Sequence, residues 1–114
     1  MMIEVDVISY LSGKTTAGTK VYAERPDDVP DTYIIIEKTS GGMDNRIKHA
    51  TIAVQSIAPT LYGAMSLNEE VKTAMDGIIS LGSVSACRLN SDYNFTDQTT
   101  KEYRYQAVFD ITHY

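Results

Sequence analysis

Two histidines, one cysteine, three closely spaced aspartates and a Gly-Gly pair are the residues of this 114-residue chain best equipped for chemistry. A zinc site needs three or four ligands at fixed spacing. His49 and His113 are far apart, each on a predicted strand, with no Cys or His beside them. Cys87 is alone, which excludes an intrachain disulfide and a thiolate cage and is compatible with a reducing compartment. A single cysteine on a strand reads as a small buried hydrophobe rather than a nucleophile. Asp27, Asp28 and Asp31 lack both the alternate spacing and the closing glutamate of a calcium loop, so they read as a solvated acidic loop. Gly41-Gly42 has neither phosphate-loop frame and opens no helix; it reads as a turn between two strands. No catalytic constellation emerges, and neither metal nor cofactor is expected.

Charge points away from nucleic acid as a specific ligand. Ten basic residues against fifteen acidic ones give −5 and a pI near 4.8, without the basic footprint of a nucleic-acid binder. Within that balance, Glu24 to Asp31 is acidic, whereas Lys38 to His49 carries Lys38, Arg46 and Lys48 against Asp44. Two such segments on one small domain can meet between neighbouring copies, a heterologous contact of the kind that closes into rings. Scattered surface charge of little energetic weight is the simpler reading of charge alone.

The elements that must position these residues follow from periodicity. A chain of 12.6 kDa, 43% hydrophobic and 22% charged, reads as one globular domain over 1–114. No apolar run approaches a membrane span, and Met1 to Asp6 has no basic region, so no secretory signal is expected. Ile3, Val7, Ile8 and Leu11 predict a helix over 3–12, stopped at Ser12-Gly13. A short strand is predicted over 19–24, then a Pro- and Asp-rich loop over 25–31. Thr32 to Lys38, apolar at Tyr33, Ile34, Ile35 and Ile36, predicts a strand covered on both faces and ended by Ser40-Gly41-Gly42. A strand follows over 47–58, with Ala50, Ile52 and Val54 on one face.

Pro59-Thr60 opens a helix over 61–80 with Leu61, Ala64, Met65, Val71, Ala74, Met75 and Ile78 on its apolar stripe. Ser66 and Glu69 match a capping box, but the stripe already runs through Leu61 to Met65, which favours the earlier start. Strands over 83–91 and 102–113 flank a polar loop over 92–100. Tyr103, Tyr105, Ala107, Phe109 and Ile111 share one face of the last strand. The order α-β-β-β-α-β-β, with consecutive strands antiparallel, predicts an α+β fold: an antiparallel sheet of four to five strands with two helices packed on one face.

Eight tyrosines, against two Phe and no Trp, exceed what so small a core needs. Tyr62, Tyr93, Tyr103, Tyr105 and Tyr114 cannot all be central, and tyrosine suits interfaces. Met43, Tyr93 and Phe95 fall at predicted loop tips, where apolar side chains are costly unless a partner covers them. Folding back of Tyr93 and Phe95 onto their own core is the alternative.

Over nearly its whole length the chain resembles the tail terminator (tail-completion, head-to-tail joining) proteins of long-tailed bacteriophages and prophages. The resemblance rests on an ordered set: a short helix over Val5 to Leu11; a strand ending in Arg25-Pro26; Pro30-Asp31-Thr32-Tyr33 leading into Ile34-Ile35-Ile36; the turn Gly41-Gly42; Ile52-Ala53-Val54-Gln55 before an alanine-bearing helix; and Asp97 before Arg104-Tyr105-Gln106. It implies a non-enzymatic α+β protein that forms a hexameric ring on the tail tube at the head–tail junction, stops tube growth and presents a docking surface for the head. Its implied partners are further copies of itself, the tube protein and a head-completion or connector protein. Genomic DNA passes through the channel without specific binding, and an acidic lumen suits that passage. Loops 40–49 and 90–100 are then the expected contacts, with Met43, Asp44, Asn45, Arg46, Tyr93, Asn94 and Phe95 as candidate residues and Asp27 and Asp28 in the acidic loop. Another neck or head-completion protein, and less so a small α+β ligand-binding module, are the competing readings.

Overall fold

A computed structural model describes residues 3–15, 19–25, 27–28, 30–44, 47–96 and 102–114, with the side chain of Asp44 outside the description. The elements are α1 (Ile3–Leu11), β1 (Lys20–Tyr22), β2 (Tyr33–Asp44), β3 (Ile47–Ala58), α2 (Leu61–Asp76), a short 3-10 turn (Ile78–Ser80), β4 (Val84–Asn94) and β5 (Tyr103–His113). One five-stranded sheet has the order β1-β2-β3-β5-β4. The α+β class and the single helical layer agree with the sequence reading.

The core lies between the sheet and the helices. Ile3, Val7 and Leu11 recur every four residues along α1 and are buried. Ala64, Leu67, Val71 and Met75, three or four residues apart, are buried along α2. They meet alternate residues of the central strands: Ile34 and Ile36, Ala50, Ile52 and Val54, and Ala107, Phe109 and Ile111.

Four expectations need correction. Gly41-Gly42 is not a turn: β2 runs on to Asp44, with Gly41 opposite Ala50 and Gly42 opposite His49, past a bulge between Lys38 and Ser40. Pairing with β3 supplies the backbone hydrogen bonds that two glycines would otherwise leave to a loop. The predicted contact loop 40–49 is therefore mostly paired strand, with residues 45–46 outside the described residues. In the same way, β4 extends to Asn94 into the predicted loop 92–100.

β1 pairs parallel, not antiparallel, with β2. The 23–32 connection is long enough to carry the chain back to the end from which β1 started. The helix expected over 61–80 ends at Gly77, whose N–H bonds back to Ala74 and Met75, and a single 3-10 turn follows. The N-cap is Thr60, whose hydroxyl accepts from the Gly63 N–H at 3.0 Å, so the early start is right and Ser66 caps nothing.

Burial of β2 on both faces is real but uneven. Ile34 and Ile36 face the helices, Tyr33 is buried on the opposite face, and Ile35 is only half-buried. Arg25 reaches Tyr33 from the 23–32 connection: its Nε donates to the phenol oxygen at 3.2 Å, and the phenol donates to Glu102 at 2.8 Å. Arg25 and Glu102 also pair at 3.5 Å. These contacts tie the connection to the start of β5.

Candidate assembly surfaces

The strand pairings place the two long hairpins at opposite ends of the sheet. The end of β2 and the start of β3 lie beside the end of β5, since Lys48 lies opposite both Met43 and His113. The end of β4 and the start of β5 lie beside the start of β2, where Tyr33 meets Glu102. A twelve-residue strand spans about 40 Å, which accounts for the long axis of the 44 × 26 × 24 Å molecule.

The β2–β3 end carries Met43, 69% exposed, and Ile47, with Tyr114 on the same side. Asn45 and Arg46 lie outside the described residues, and of Asp44 only the backbone is placed. The β4–β5 end carries Tyr93, Phe95 and Tyr103, all half-exposed. Tyr93 and Phe95 do not fold under the core; they pack edge-on with ring centroids 6.0 Å apart. The Tyr93 phenol accepts from Gln106, and Gln106 accepts from Gln55 at 3.0 Å, a polar ladder across three strands. Asn94 bends the chain locally, its side-chain oxygen accepting from the Thr96 N–H and hydroxyl. Asp27 and Asp28 are exposed in the connection that Arg25 ties to this end. The acidic segment thus lies near one end of the strands and the basic Lys48 near the other.

The sequence reading missed part of the β4–β5 end. Leu61 and Met65 were expected in the core, yet both are exposed, and Tyr62 is 80% exposed. With α2 starting at Leu61 and buried along Ala64, Leu67, Asn68, Val71 and Met75, Leu61 and Met65 lie about 60° and 100° from the buried line and Tyr62 about 160°. Helical phase set by the Thr60 cap was the signal that would have found them. Among the described residues, six of the twelve exposed large apolar or tyrosine side chains therefore gather at this end: Leu61, Tyr62, Met65, Tyr93, Phe95 and Tyr103.

α2 is clamped to the hairpin. Asn68 is almost fully buried and donates its amide to Asp92 at 3.0 Å, and Lys72 pairs with the same carboxylate at 3.0 Å and with Glu69 at 2.9 Å. Glu69 first, then Asp92, holds the Lys72 ammonium above its ordinary pKa.

The residues with chemistry to offer are kept apart. His49 and Cys87 stand on opposite faces of the sheet by register, since His49 shares a row with Thr112 and Cys87 with Ile111. Burial, with smaller contributions from Asp76 and Asp110, pushes the Cys87 thiol up to about 11. It therefore stays protonated at neutral pH, the opposite of an activated nucleophile. No cluster of three or more His, Cys, Asp or Glu suited to a metal exists among the described residues. A depression of about 610 Å³ forms an open saddle on the helix-free face between Gly42, His49, Thr51, Arg88 and Asp110. No described helix is long and apolar enough to cross a membrane.

No family model matches the chain, and no curated protein matches it in sequence. Among solved structures, its fold is similar to that of a chain in the virion of a native gene transfer agent particle. The TM-score is 0.71 at 17% identity, over 96% of this chain and 94% of that one. What the comparison establishes is the architecture: this chain has the fold of a virion component along nearly its entire length.

Proposed function

We propose that this protein is a structural component of a tailed-phage-like particle, and that it acts at the head–tail junction as a ring that ends tail-tube growth and receives the head. The observation that carries the proposal is the end-to-end fold similarity to a chain of a virion. The sequence resemblance to tail terminators supplies the finer role: a hexameric ring whose partners are the tube protein and a head-completion or connector protein. The two unlike projecting ends suit a subunit gripped from two sides, and the net charge of −5 suits a channel through which DNA moves without sticking. The proposed role is mechanical, with no catalytic step.

Deleting the gene in a producing cell and measuring tail lengths by electron microscopy tests this reading. Overlong or uncontrolled tails without heads are expected. Tails of normal length would exclude the terminator role. Other neck positions share the virion-fold observation, and they are distinguished by copurification: a terminator accompanies isolated tails, a head-completion protein accompanies tailless heads.

A further inference from the structure

The sheet has two long open margins on opposite sides. On one side β1 covers only Tyr33 to Ile35 of β2, and among the described residues no strand pairs with the outer side of β2 beyond that. Glu37 to Met43 are exposed throughout. On the other side β4 is the last strand, and Ser85, Ala86, and Arg88 to Ser91 are exposed. An exposed margin of this length is a template for another strand unless something covers it.

Both margins carry bulges that divide them into short regular runs. β2 is irregular at Lys38/Ser40, leaving Ser40 to Asp44; β4 is irregular at Val84/Ala86 and Leu89/Ser91, leaving Ala86 to Leu89. Bulges discourage pairing with an arbitrary strand. The two runs nevertheless match each other. Traced across the four long strands, Ser40, Gly41 and Gly42 sit in the same rows as Arg88, Cys87 and Ala86. They therefore stand at the same height on opposite sides of one sheet.

We infer that copies of this chain join margin to margin, the Ser40–Gly42 run of β2 in one copy pairing antiparallel with the Ala86–Arg88 run of β4 in the next. The sense follows from topology: β2 and β4 run in opposite directions within one sheet, so copies standing the same way up present antiparallel strands. Apart from Arg88, the residues at the seam are small. A side chain on Gly42 would meet nothing within 4 Å, and the first atoms met at Gly41 belong to the flexible Lys38 side chain. Glycine inside a strand often marks close approach of another backbone. The contact uses two different surfaces, so it repeats from copy to copy and closes into a ring or continues as a helix. Glu37 and Arg88, exposed on the helix-free face of the two margins, add opposite charge across the seam.

This inference rests on the ring reading above, and its test separates the two. Gly42→Cys and Ala86→Cys are combined in a Cys87→Ser background, and the variant replaces the native chain in particles. Cα atoms of facing antiparallel residues lie about 4.5–5.5 Å apart, within disulfide range. Mild oxidation should convert most of the protein to a ladder of covalent oligomers, lost on reduction, with neither single variant passing beyond dimer. Only monomer in particles with tails of normal length would overturn margin pairing and leave the ring reading standing. Should the double variant assemble poorly, particles made with both single variants mixed must give the covalent dimer, and its absence overturns the inference equally.

Discussion

Cys87 is the residue whose ionisation the fold opposes most clearly. Burial lifts its thiol to about 11 from an ordinary 9.0. The unfolded chain ionises this group first, so folding stability attached to it is complete below pH 9 and drains away as pH rises towards 11. The shifts at Tyr33 and Lys72 have the same sign and extend the loss upward: Tyr33 is raised chiefly by burial and then by Glu102, Lys72 by Glu69 and Asp92. Thermal melts between pH 8 and 11 should therefore show a falling midpoint, with the early part of the fall reduced in Cys87→Ser. An unchanged slope in that variant would show that the thiol is not the group responsible. Asp92 matters differently. It holds the otherwise buried Asn68 amide, and leaving such a group unpaired costs about 1–3 kcal/mol.

At the scale of elements, adjacent residues of β2 should respond very differently. Ile36 is 2% exposed in the core beneath the helices, whereas Ile35 is half-buried on the far face. Ile36→Asp should cost about 4 kcal/mol or more, and Ile35→Asp about 1–2 kcal/mol, read from denaturant midpoints. Equal losses would mean that both faces of this strand are sealed alike.

Much of this element level was legible in the sequence. Alternation in 103–113 and the four-residue repeat of α1 follow burial concentrated on one side, and such burial leaves a pattern; β3 alternates at its start but is buried on both faces from Ile52 to Ala58. The extension of β2 through Ser40-Gly41-Gly42 left none, because its pairing with Thr51, Ala50 and His49 depends on a partner strand rather than on local preference. The parallel placement of β1 was hidden for the same reason. Leu61 and Met65 misled by residue type, since leucine and methionine at helical spacing read as core until the helix phase is fixed. Of the candidate contacts, the sequence picked out Met43, Tyr93 and Phe95, but not that they belong to opposite ends.

For the whole molecule, the two ends should be separable by mutation. Tyr62→Ser with Phe95→Ser removes exposed surface from one end and leaves the core cluster untouched. Its melting midpoint should stay within a few degrees of the native chain, since surface changes of this kind cost about 0.5 kcal/mol or less each. Its incorporation into particles should drop sharply, measured by quantitative immunoblot of purified virions. Incorporation at native levels would remove this end from the assembly contacts. Met43→Ser makes the corresponding test at the far end.

The opposed hairpins give the subunit a direction. In the ring proposed above, copies set side by side in one sense would present upper and lower rims that are chemically unlike, aromatic on one and sparsely apolar on the other. Such a disc would be polar: what fits one rim need not fit the other, so tube and head would each meet a surface of its own.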